Sequence, residues 1–167
     1  MNNQPIGILD SGVGGLTIWR EIIRELPNES TIYLADSINC PYGERTEEEI
    51  YNLSKKLVKF LIAKKVKLIV LACNTITVFC LERLRLNFPK IAIVGTVPAV
   101  KTAAETTRNK RIGILSTIAT AKSKYQKNLI KKFAKDCLVV NKGDIELVSY
   151  IEKGDTKSEK IKKILRD

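Results

Sequence analysis

The sequence contains no histidine, four cysteines and few aromatic residues (6%) among its 167 residues. Without histidine, this chain by itself cannot build a His-ligated zinc site, a Ser-His-Asp triad or a Cys-His pair. Acid–base chemistry would therefore depend on Cys, Asp, Glu, Lys or Tyr, and no metal site is predicted. No apolar run approaches the roughly 20 residues needed to span a bilayer, and the N-terminus lacks the layout of a signal peptide. These absences predict a soluble protein of the cytoplasm with no membrane partner.

Acidic residues are scarce relative to basic ones, 18 against 29, for a net charge of +11. Residues 1–98 carry 12 basic and 10 acidic side chains, whereas residues 99–167 carry 17 and 8. The lysines of this second part alternate with apolar residues at helical spacing, a pattern typical of a solvated helix face. The sequence therefore favours a charged surface over a nucleic-acid partner. The cysteines have neither the spacing nor the density of a disulfide framework, which indicates free thiols in a reducing compartment.

Short runs of Ile, Val and Leu alternate with longer segments of period near 3.6, which predicts an α/β fold with a parallel sheet and helices on both faces. Strands are predicted over residues 5–9, 31–35, 67–72, 91–95, 111–115 and 138–140. Helices are predicted over residues 16–26, 46–61, 74–88, 99–106, 120–134, 144–152 and 156–165. Thr46 and Glu49 have the spacing of a capping box.

Two domains are predicted. Residues 1–97 form a first α/β domain that holds a glycine-rich turn and Cys73. Residues 98–167 form a partial second α/β domain. This second domain is predicted to be incomplete, because its sheet would hold two strands and small parallel sheets need cover and partners.

Polar side chains follow each of the first three predicted strands. Because the carboxyl ends of parallel strands share one edge of the sheet, these segments should meet in one crevice. They are Asp10-Ser11-Gly12-Val13-Gly14-Gly15, then Asp36-Ser37 with Cys40-Pro41-Tyr42-Gly43, and Cys73-Asn74-Thr75.

The glycine-rich turn matches neither a Walker A loop nor a dinucleotide fingerprint. A plain turn that needs φ > 0 is one interpretation. The other is that its N–H groups, at the start of a helix, bind a carboxylate or phosphate. Asp10 adds a negative charge that suits an ammonium group. Together these features favour a zwitterion such as an amino acid.

Cys73 lies where an apolar strand gives way to a helix. A lone cysteine on such a strand is usually a packing residue, and Cys80, seven residues on, is predicted to be one. At Cys73, however, the helix N-terminus should stabilise a thiolate and lower the thiol pKa. The amide of Asn74 and the hydroxyl of Thr75 could orient a bound carboxylate. Cys73 is therefore the predicted reactive thiol.

Several motifs resemble, in order and spacing, the glutamate racemases of the cofactor-independent aspartate/glutamate racemase superfamily. They are the segments 10–16, Ala35-Asp36, Pro41-Tyr42-Gly43, Ala72-Cys73-Asn74-Thr75, 93–99 and 112–120, followed by Ser123 and Tyr125. The resemblance implies interconversion of L- and D-glutamate without a cofactor, supplying D-glutamate for peptidoglycan. Two cysteines on opposite faces of the substrate act as the acid–base pair in this family.

The resemblance makes Cys73 the catalytic residue that faces the α-proton of D-glutamate. It implies substrate contacts from Asp10, Ser11, Tyr42, Gly43, Asn74, Thr75 and Thr117. Family members often form dimers, and the sequence leaves open whether this chain forms a homodimer.

The chain departs from the family pattern in lacking the Cys-Thr-His segment that carries the second cysteine. We therefore expect a racemase sequence without its C-terminal part, either inactive or limited to one-base exchange. The alternative is a non-catalytic glutamate-binding or interaction module. A related racemase, such as one for aspartate, also stays open at this stage.

Overall fold

The computed structural model describes residues 3–166. These residues form two compact units, one ending at Val97 and the other beginning at Pro98. Each unit contains a parallel sheet with helices, which confirms the predicted α/β class.

Within residues 3–97, the first unit contains four strands and three α-helices. The strands are β1 (Ile6–Asp10), β2 (Thr31–Ala35), β3 (Leu68–Leu71) and β4 (Ala92–Gly95), and the helices are α1 (Leu16–Glu25), α2 (Glu47–Ala63) and α3 (Asn74–Asn87). A short 3₁₀ helix covers Tyr42–Glu44. The sheet order is β2-β1-β3-β4, and every neighbouring pair is parallel.

Helices cover both faces of this sheet. On one face, Ile50 and Leu61 of α2 and Ile76 of α3 belong to the same buried cluster as Leu9 and Ile69 of the strands. On the other face, α1 packs its apolar side against a smaller buried cluster of β1 and β3. All five residues of β1 are buried, as expected for a central strand of a parallel sheet.

Local sequence explains where these helices begin and end. The predicted capping box at the start of α2 is confirmed, because the Thr46 side chain accepts the N–H of Glu49 and the Glu49 carboxylate accepts the N–H of Thr46. Helix α1 ends two residues before Pro27, and α3 ends two residues before Pro89. Proline lacks an N–H donor and cannot continue either helix.

The second unit has two strands and five helices within the described residues. The strands are β5 (Arg111–Ser116) and β6 (Leu138–Gly143), and the helices are α4 (Val100–Thr106), α5 (Ile118–Lys122), α6 (Lys124–Phe133), α7 (Glu146–Glu152) and α8 (Glu159–Arg166). The strands β5 and β6 pair in parallel. A buried cluster that includes Val100, Ile112 and Ala134 forms a core of this unit.

The prediction of a single helix over residues 120–134 is wrong, because the helical backbone is interrupted at Ser123, which separates α5 from α6. Ser123 has an extended backbone with φ −63° and ψ 148°. Its hydroxyl donates to the carbonyl of Thr120 at 2.7 Å and accepts the N–H of Gln126 at 3.0 Å. Ser123 therefore caps α6, a role that serine favours over a helix interior.

None of the helices within residues 3–166 combines the length and the hydropathy that crossing a bilayer requires.

Candidate active site

The register of the first sheet aligns the carboxyl ends of its strands. Asp10 lies opposite Ala35, and Leu9 lies opposite Leu71. Beyond the strands, the N–H of Asp36 donates to the carbonyl of Asp10 at 3.1 Å, and that of Ala72 donates to Leu9 at 2.8 Å. The three polar segments singled out in the sequence therefore follow neighbouring strands at one edge of the sheet, all within the first unit.

The glycine-rich turn wraps around the carboxylate of Asp10. Asp10 is only 4% exposed, and its Oδ2 accepts the N–H groups of Gly12 at 3.1 Å and Gly15 at 2.9 Å. These two N–H groups thus bind the protein's own aspartate, and the expectation that the turn offers its amides to a ligand does not hold for them. The turn instead fixes a buried negative charge at the start of α1.

Gly15 is needed for space and not for an unusual backbone. Its φ is −65°, so the interpretation of a turn that needs positive φ is wrong at this position. A Cβ at Gly15 would lie 2.7 Å from Cβ of Asp10 and 2.9 Å from Cβ of Ala72. Contacts this short do not occur between real Cβ atoms. The turn can therefore approach the sheet this closely only with glycine at position 15.

Tyr33 on β2 supports the same turn. Its hydroxyl donates to the carbonyl of Gly12 at 2.9 Å and lies 3.5 Å from Oδ2 of Asp10. Its ring contacts Trp19 of α1, with centroids 5.8 Å apart. Tyr33 belongs to no motif of the sequence, because only the pairing of β1 with β2 brings a mid-strand tyrosine to this turn.

Cys73 joins the turn to the third strand. Its Sγ lies 3.4 Å from Oγ of Ser11 and accepts the N–H of Ile76 at 3.5 Å, so Cys73 is the N-cap of α3. Its side chain is buried, with 7% of the residue exposed. The sulfur thus lies at the helix start predicted from sequence, in hydrogen-bonding contact with the segment that follows β1.

Burial raises the pKa of the Cys73 thiol above its usual value, and the negative charge of Asp10 raises it further. The Ser11 hydroxyl and the N–H groups of Ile76 and Thr75 act in the opposite direction. The predicted lowering of this pKa is therefore wrong for the ligand-free chain. The helix N-terminus does favour the thiolate, but the loss of water around the sulfur outweighs it.

Tyr42 lies in the same buried cluster as Cys73. It is 2% exposed, and its hydroxyl donates to Oδ2 of Asp36 at 2.6 Å. Burial, followed by the hydrogen bond and charge of Asp36, raises the Tyr42 pKa far above its usual value. Gly43, the next residue of the 3₁₀ helix, is half-buried. Asp36 follows β2, but its contact with Tyr42 could not be foreseen from sequence.

Asn74 and Thr75 are the first two residues of α3. Asn74 is exposed, and Thr75 is buried at 4%. Thr96, directly after β4, lies 3.5 Å from Oδ1 of Asn74 through its Oγ1 and donates to the carbonyl of Leu71 at 3.1 Å. Thr96 was not among the predicted site residues, although its place directly after the fourth strand of the sheet corresponds to that of the polar segments after the first three.

Thr117 and the other three cysteines of the chain make none of the contacts described above. Thr117 belongs to the second unit, where its Oγ1 accepts the N–H of Thr120 at 3.3 Å and caps α5. Cys80 is fully buried in the main core of the first unit, as predicted, and its surroundings raise its pKa to about 12. Cys137 is half-buried beside the core of the second unit, and Cys40 is half-buried in the first.

The fold and the site together define a parallel-sheet α/β protein with a buried thiol and a buried carboxylate at the carboxyl edge of its first sheet. Comparison with known proteins shows the family to which the chain belongs. The Asp/Glu/hydantoin racemase family model matches residues 6–166. The chain belongs to the Asp/Glu/hydantoin racemase family.

Proteins similar to this chain include the glutamate racemase of Roseiflexus sp. (strain RS-1), 41% identical over 98% of this chain and 60% of that protein. The glutamate racemase of Pseudomonas paraeruginosa is 43% identical over 92% of this chain and 58% of that protein. This chain thus spans about 60% of the length of these relatives.

Crystal structures of glutamate racemases show the same fold. The Escherichia coli enzyme, in complex with L-glutamate and the activator UDP-MurNAc-Ala, superposes with a TM-score of 0.89 at 37% identity, covering 98% of this chain and 63% of that one. The Francisella tularensis enzyme, in complex with D-glutamate, gives a TM-score of 0.82 at 30% identity, covering 98% and 62%.

Proposed function

We propose that this chain takes part in the cofactor-independent interconversion of L- and D-glutamate, which supplies D-glutamate for peptidoglycan. Cys73 is the acid–base residue that acts on the α-proton of D-glutamate. The observation that carries this proposal is the position of the Cys73 sulfur, 3.4 Å from Ser11 and beside the buried charge of Asp10. The family and the glutamate-bound relatives support glutamate as the substrate.

The proposed chemical step is a proton transfer between carbon and sulfur. The Cys73 thiolate takes the α-proton of D-glutamate, which gives a neutral thiol and a carbanion whose electron pair is shared with the α-carboxylate. Donors positioned on that carboxylate would stabilise the developing charge. Asn74 and Thr75, at the N-terminus of α3, are the proposed donors, and the helix dipole favours negative charge at the same place.

Substrate binding itself would promote ionisation of the thiol. In the free chain, burial and the Asp10 carboxylate keep the pKa of the Cys73 thiol above its usual value. The ammonium group of glutamate, bound near Asp10, would offset that negative charge and lower the thiol pKa. Binding of an amino acid would thus favour the thiolate form of Cys73.

The proposed substrate contacts within the first unit are Asp10 and Ser11, which follow β1, and Tyr42 and Gly43 of the 3₁₀ helix. Thr117 is proposed as a contact on the family resemblance alone. In the glutamate racemases that the sequence resembles, a second cysteine returns a proton to the opposite face of the substrate α-carbon. We infer that this 167-residue chain, with Cys73 as its assigned acid–base group, exchanges the α-proton on one face only.

Proton exchange in D₂O tests the proposal. D-Glutamate and L-glutamate are incubated separately with the chain, and ¹H NMR follows loss of the α-proton signal. We expect exchange of D-glutamate without inversion, and no exchange with Cys73→Ser. Cys80→Ser, at a buried cysteine of the core, is the matched control and should retain exchange. Exchange that survives Cys73→Ser, or full racemisation by this chain, would contradict the assigned roles.

A glutamate-binding module without catalysis predicts a different result. Calorimetry with D-glutamate would then show saturable binding, while the NMR experiment would show no exchange. A chain that binds neither enantiomer would exclude both functions. Running both measurements on one preparation separates the three outcomes.

A further inference from the structure

Asp36 lies at the centre of a hydrogen-bond network that the proposed chemistry does not use. Its carboxylate accepts the hydroxyl of Tyr42 at 2.6 Å through Oδ2. The side-chain amide of Asn39 donates to both carboxylate oxygens, at 2.9 and 3.0 Å. Arg45 donates its Nε–H to the carbonyl of Asn39 at 2.8 Å. These contacts hold the loop between β2 and α2 from several sides.

The backbone continues the same network. The N–H of Asp36 donates to the carbonyl of Asp10 at 3.1 Å, and the N–H of Asn39 donates to the carbonyl of Asp36 at 3.1 Å. Asp36 is thus hydrogen-bonded to Asp10, whose carboxylate the glycine-rich turn encloses. The network therefore connects the turn after β1 with the 3₁₀ helix that carries Tyr42 and Gly43.

The Tyr42 hydroxyl has a single proton, and the hydrogen bond to Asp36 uses it. A phenol that donates at 2.6 Å to a carboxylate cannot donate to a second partner. With only 2% of Tyr42 exposed, its side chain is also closed to solvent. Gly43, which follows it, is half-buried and more open. The side chain of Tyr42 is therefore suited to anchor the 3₁₀ helix, and the backbone beside it is suited to meet a ligand.

We propose that Asp36 is a positioning residue that acts through Tyr42: its carboxylate anchors the Tyr42 side chain and so fixes the Tyr42-Gly43 backbone for the amino-acid ligand. The Tyr42 hydroxyl then acts on the protein and not on the ligand. This proposal rests on the proposed function for its ligand, whereas the Asp36–Tyr42 anchor is a property of the free chain.

A double-mutant cycle tests the anchor. Asp36→Asn keeps the size of the side chain, but it presents an NH₂ group where Asn39 donates to both oxygens, so the carboxylate network is broken. Tyr42→Phe removes only the hydroxyl. We expect each variant to raise the calorimetric Kd for D-glutamate by about tenfold. Because both break one contact, the double variant should be no weaker than either single one.

Exchange kinetics and a matched control variant distinguish positioning from general damage. Exchange of D-glutamate should show a raised KM with kcat within about twofold of the parent, since binding is lost and Cys73 is untouched. Glu44→Gln is the matched control, because it removes a negative charge from an exposed side chain two residues from Tyr42. It should leave both Kd and KM unchanged.

The hydrogen bond of Tyr42 gives a readout that needs no ligand. Chains labelled with ¹³Cζ-tyrosine are observed by NMR at neutral pH, and Tyr42→Phe assigns the resonance. The 2.6 Å hydrogen bond to the Asp36 carboxylate polarises the phenol O–H. Asp36→Asn should therefore move the ¹³Cζ resonance of Tyr42, and Glu44→Gln should not move it.

The outcomes separate the anchor from the proposed function. Additive effects of Asp36→Asn and Tyr42→Phe on Kd, or an unchanged Tyr42 ¹³Cζ resonance in Asp36→Asn, would overturn the anchor. Failure of the parent chain to bind glutamate would overturn the proposed function and the ligand part of this inference, while a shifted Tyr42 resonance would still support the anchor. If Asp36→Asn does not fold, Asn39→Ala loosens the same carboxylate without touching the pair, and should give the same changes in smaller size.

Discussion

A single methyl group added at Gly15 should destabilise the first unit, whereas the same methyl group at Gly14 should not. A Cβ at Gly15 would meet Cβ of Asp10 at 2.7 Å, its Cγ at 2.8 Å and Cβ of Ala72 at 2.9 Å. These atoms belong to buried residues on or next to central strands, so they cannot move without shifting backbone. At Gly14 the nearest atom is Oδ2 of Asp10, 4.0 Å away.

The size of the effect follows from two opposing terms. Replacing glycine by alanine where the backbone is compatible stabilises a protein by about 0.4–1 kcal/mol, because the unfolded chain loses freedom. Gly15 has helical φ and ψ, so the backbone tolerates alanine there. Overpacking a tight site costs about 1–3 kcal/mol. Neither Gly14 nor Gly15 has a positive φ, so both alanine variants gain the unfolded-state term and it cancels between them. Gly15→Ala should thus lower the free energy of unfolding relative to Gly14→Ala by about 1–3 kcal/mol.

Urea unfolding followed by the fluorescence of Trp19 measures this difference. Trp19 is the single tryptophan and lies on α1, directly after the turn. Gly15→Ala should also weaken D-glutamate binding, because the methyl group displaces Asp10. Equal stability of the two alanine variants would refute the packing argument. Unchanged glutamate affinity in Gly15→Ala would refute the link between the turn and the proposed site.

Two buried thiols and one helix cap should also respond to substitution in defined directions. Asp10→Asn should shift the pH dependence of Cys73 alkylation, followed by mass spectrometry, to lower pH, and Ser11→Ala should shift it to higher pH, because the carboxylate raises the thiol pKa and the hydroxyl lowers it. Burial raises the pKa of Cys80 from 9.0 in the unfolded chain to about 12 in the folded chain. The protonated thiol therefore stabilises the folded chain fully below pH 9, and this stabilisation is lost as the pH rises towards 12. Between about pH 8 and about pH 10.5 the parent chain should lose about 2 kcal/mol of unfolding free energy from Cys80 in urea experiments, and Cys80→Val should not show this loss. Thr46→Ala should cost about 1 kcal/mol in the same assay at neutral pH, since it removes the capping box of α2.

Matched variants make these results decisive. If Asp10→Asn and Ser11→Ala shift the pH dependence of Cys73 alkylation in the same direction, then Asp10 and Ser11 do not have opposite effects on the thiol pKa and the prediction is wrong. Cys137→Val, at a half-buried position of the second unit, should keep the alkaline loss seen in the parent chain. An equal reduction by Cys137→Val and Cys80→Val would show that alkaline instability does not arise from the buried thiol.

Much of the fold could be predicted because its elements have local causes. The apolar runs placed β2 at the observed residues, and the alternation of strands with helical segments predicted parallel pairing. The capping box placed the start of α2 for the same reason. The interruption at Ser123 could not be predicted, because apolar periodicity continues through this residue. Only the hydrogen bonds of its hydroxyl with Thr120 and Gln126 end one helix and begin the next.

The position of the candidate site could be predicted, but its electrostatics could not. Polar residues at the ends of parallel strands must share an edge, so Asp10 and Cys73 were singled out from their places in the sequence. The direction of the Cys73 pKa shift depends on how much water the fold removes from the sulfur and on the nearby charge of Asp10. Both are sums over contacts from distant parts of the chain.

The amino-acid sequence by itself determined the α/β class, the alignment of the polar segments at one sheet edge, and the resemblance to racemases. Each follows from short local motifs, and parallel strands place the segments that follow them at one edge. Only the tertiary structure decided that Gly12 and Gly15 enclose Asp10, that burial raises the pKa of the Cys73 thiol, and that the Tyr42 hydroxyl donates its hydrogen bond to Asp36. These features depend on distances across strands and loops, and sequence spacing does not specify such distances.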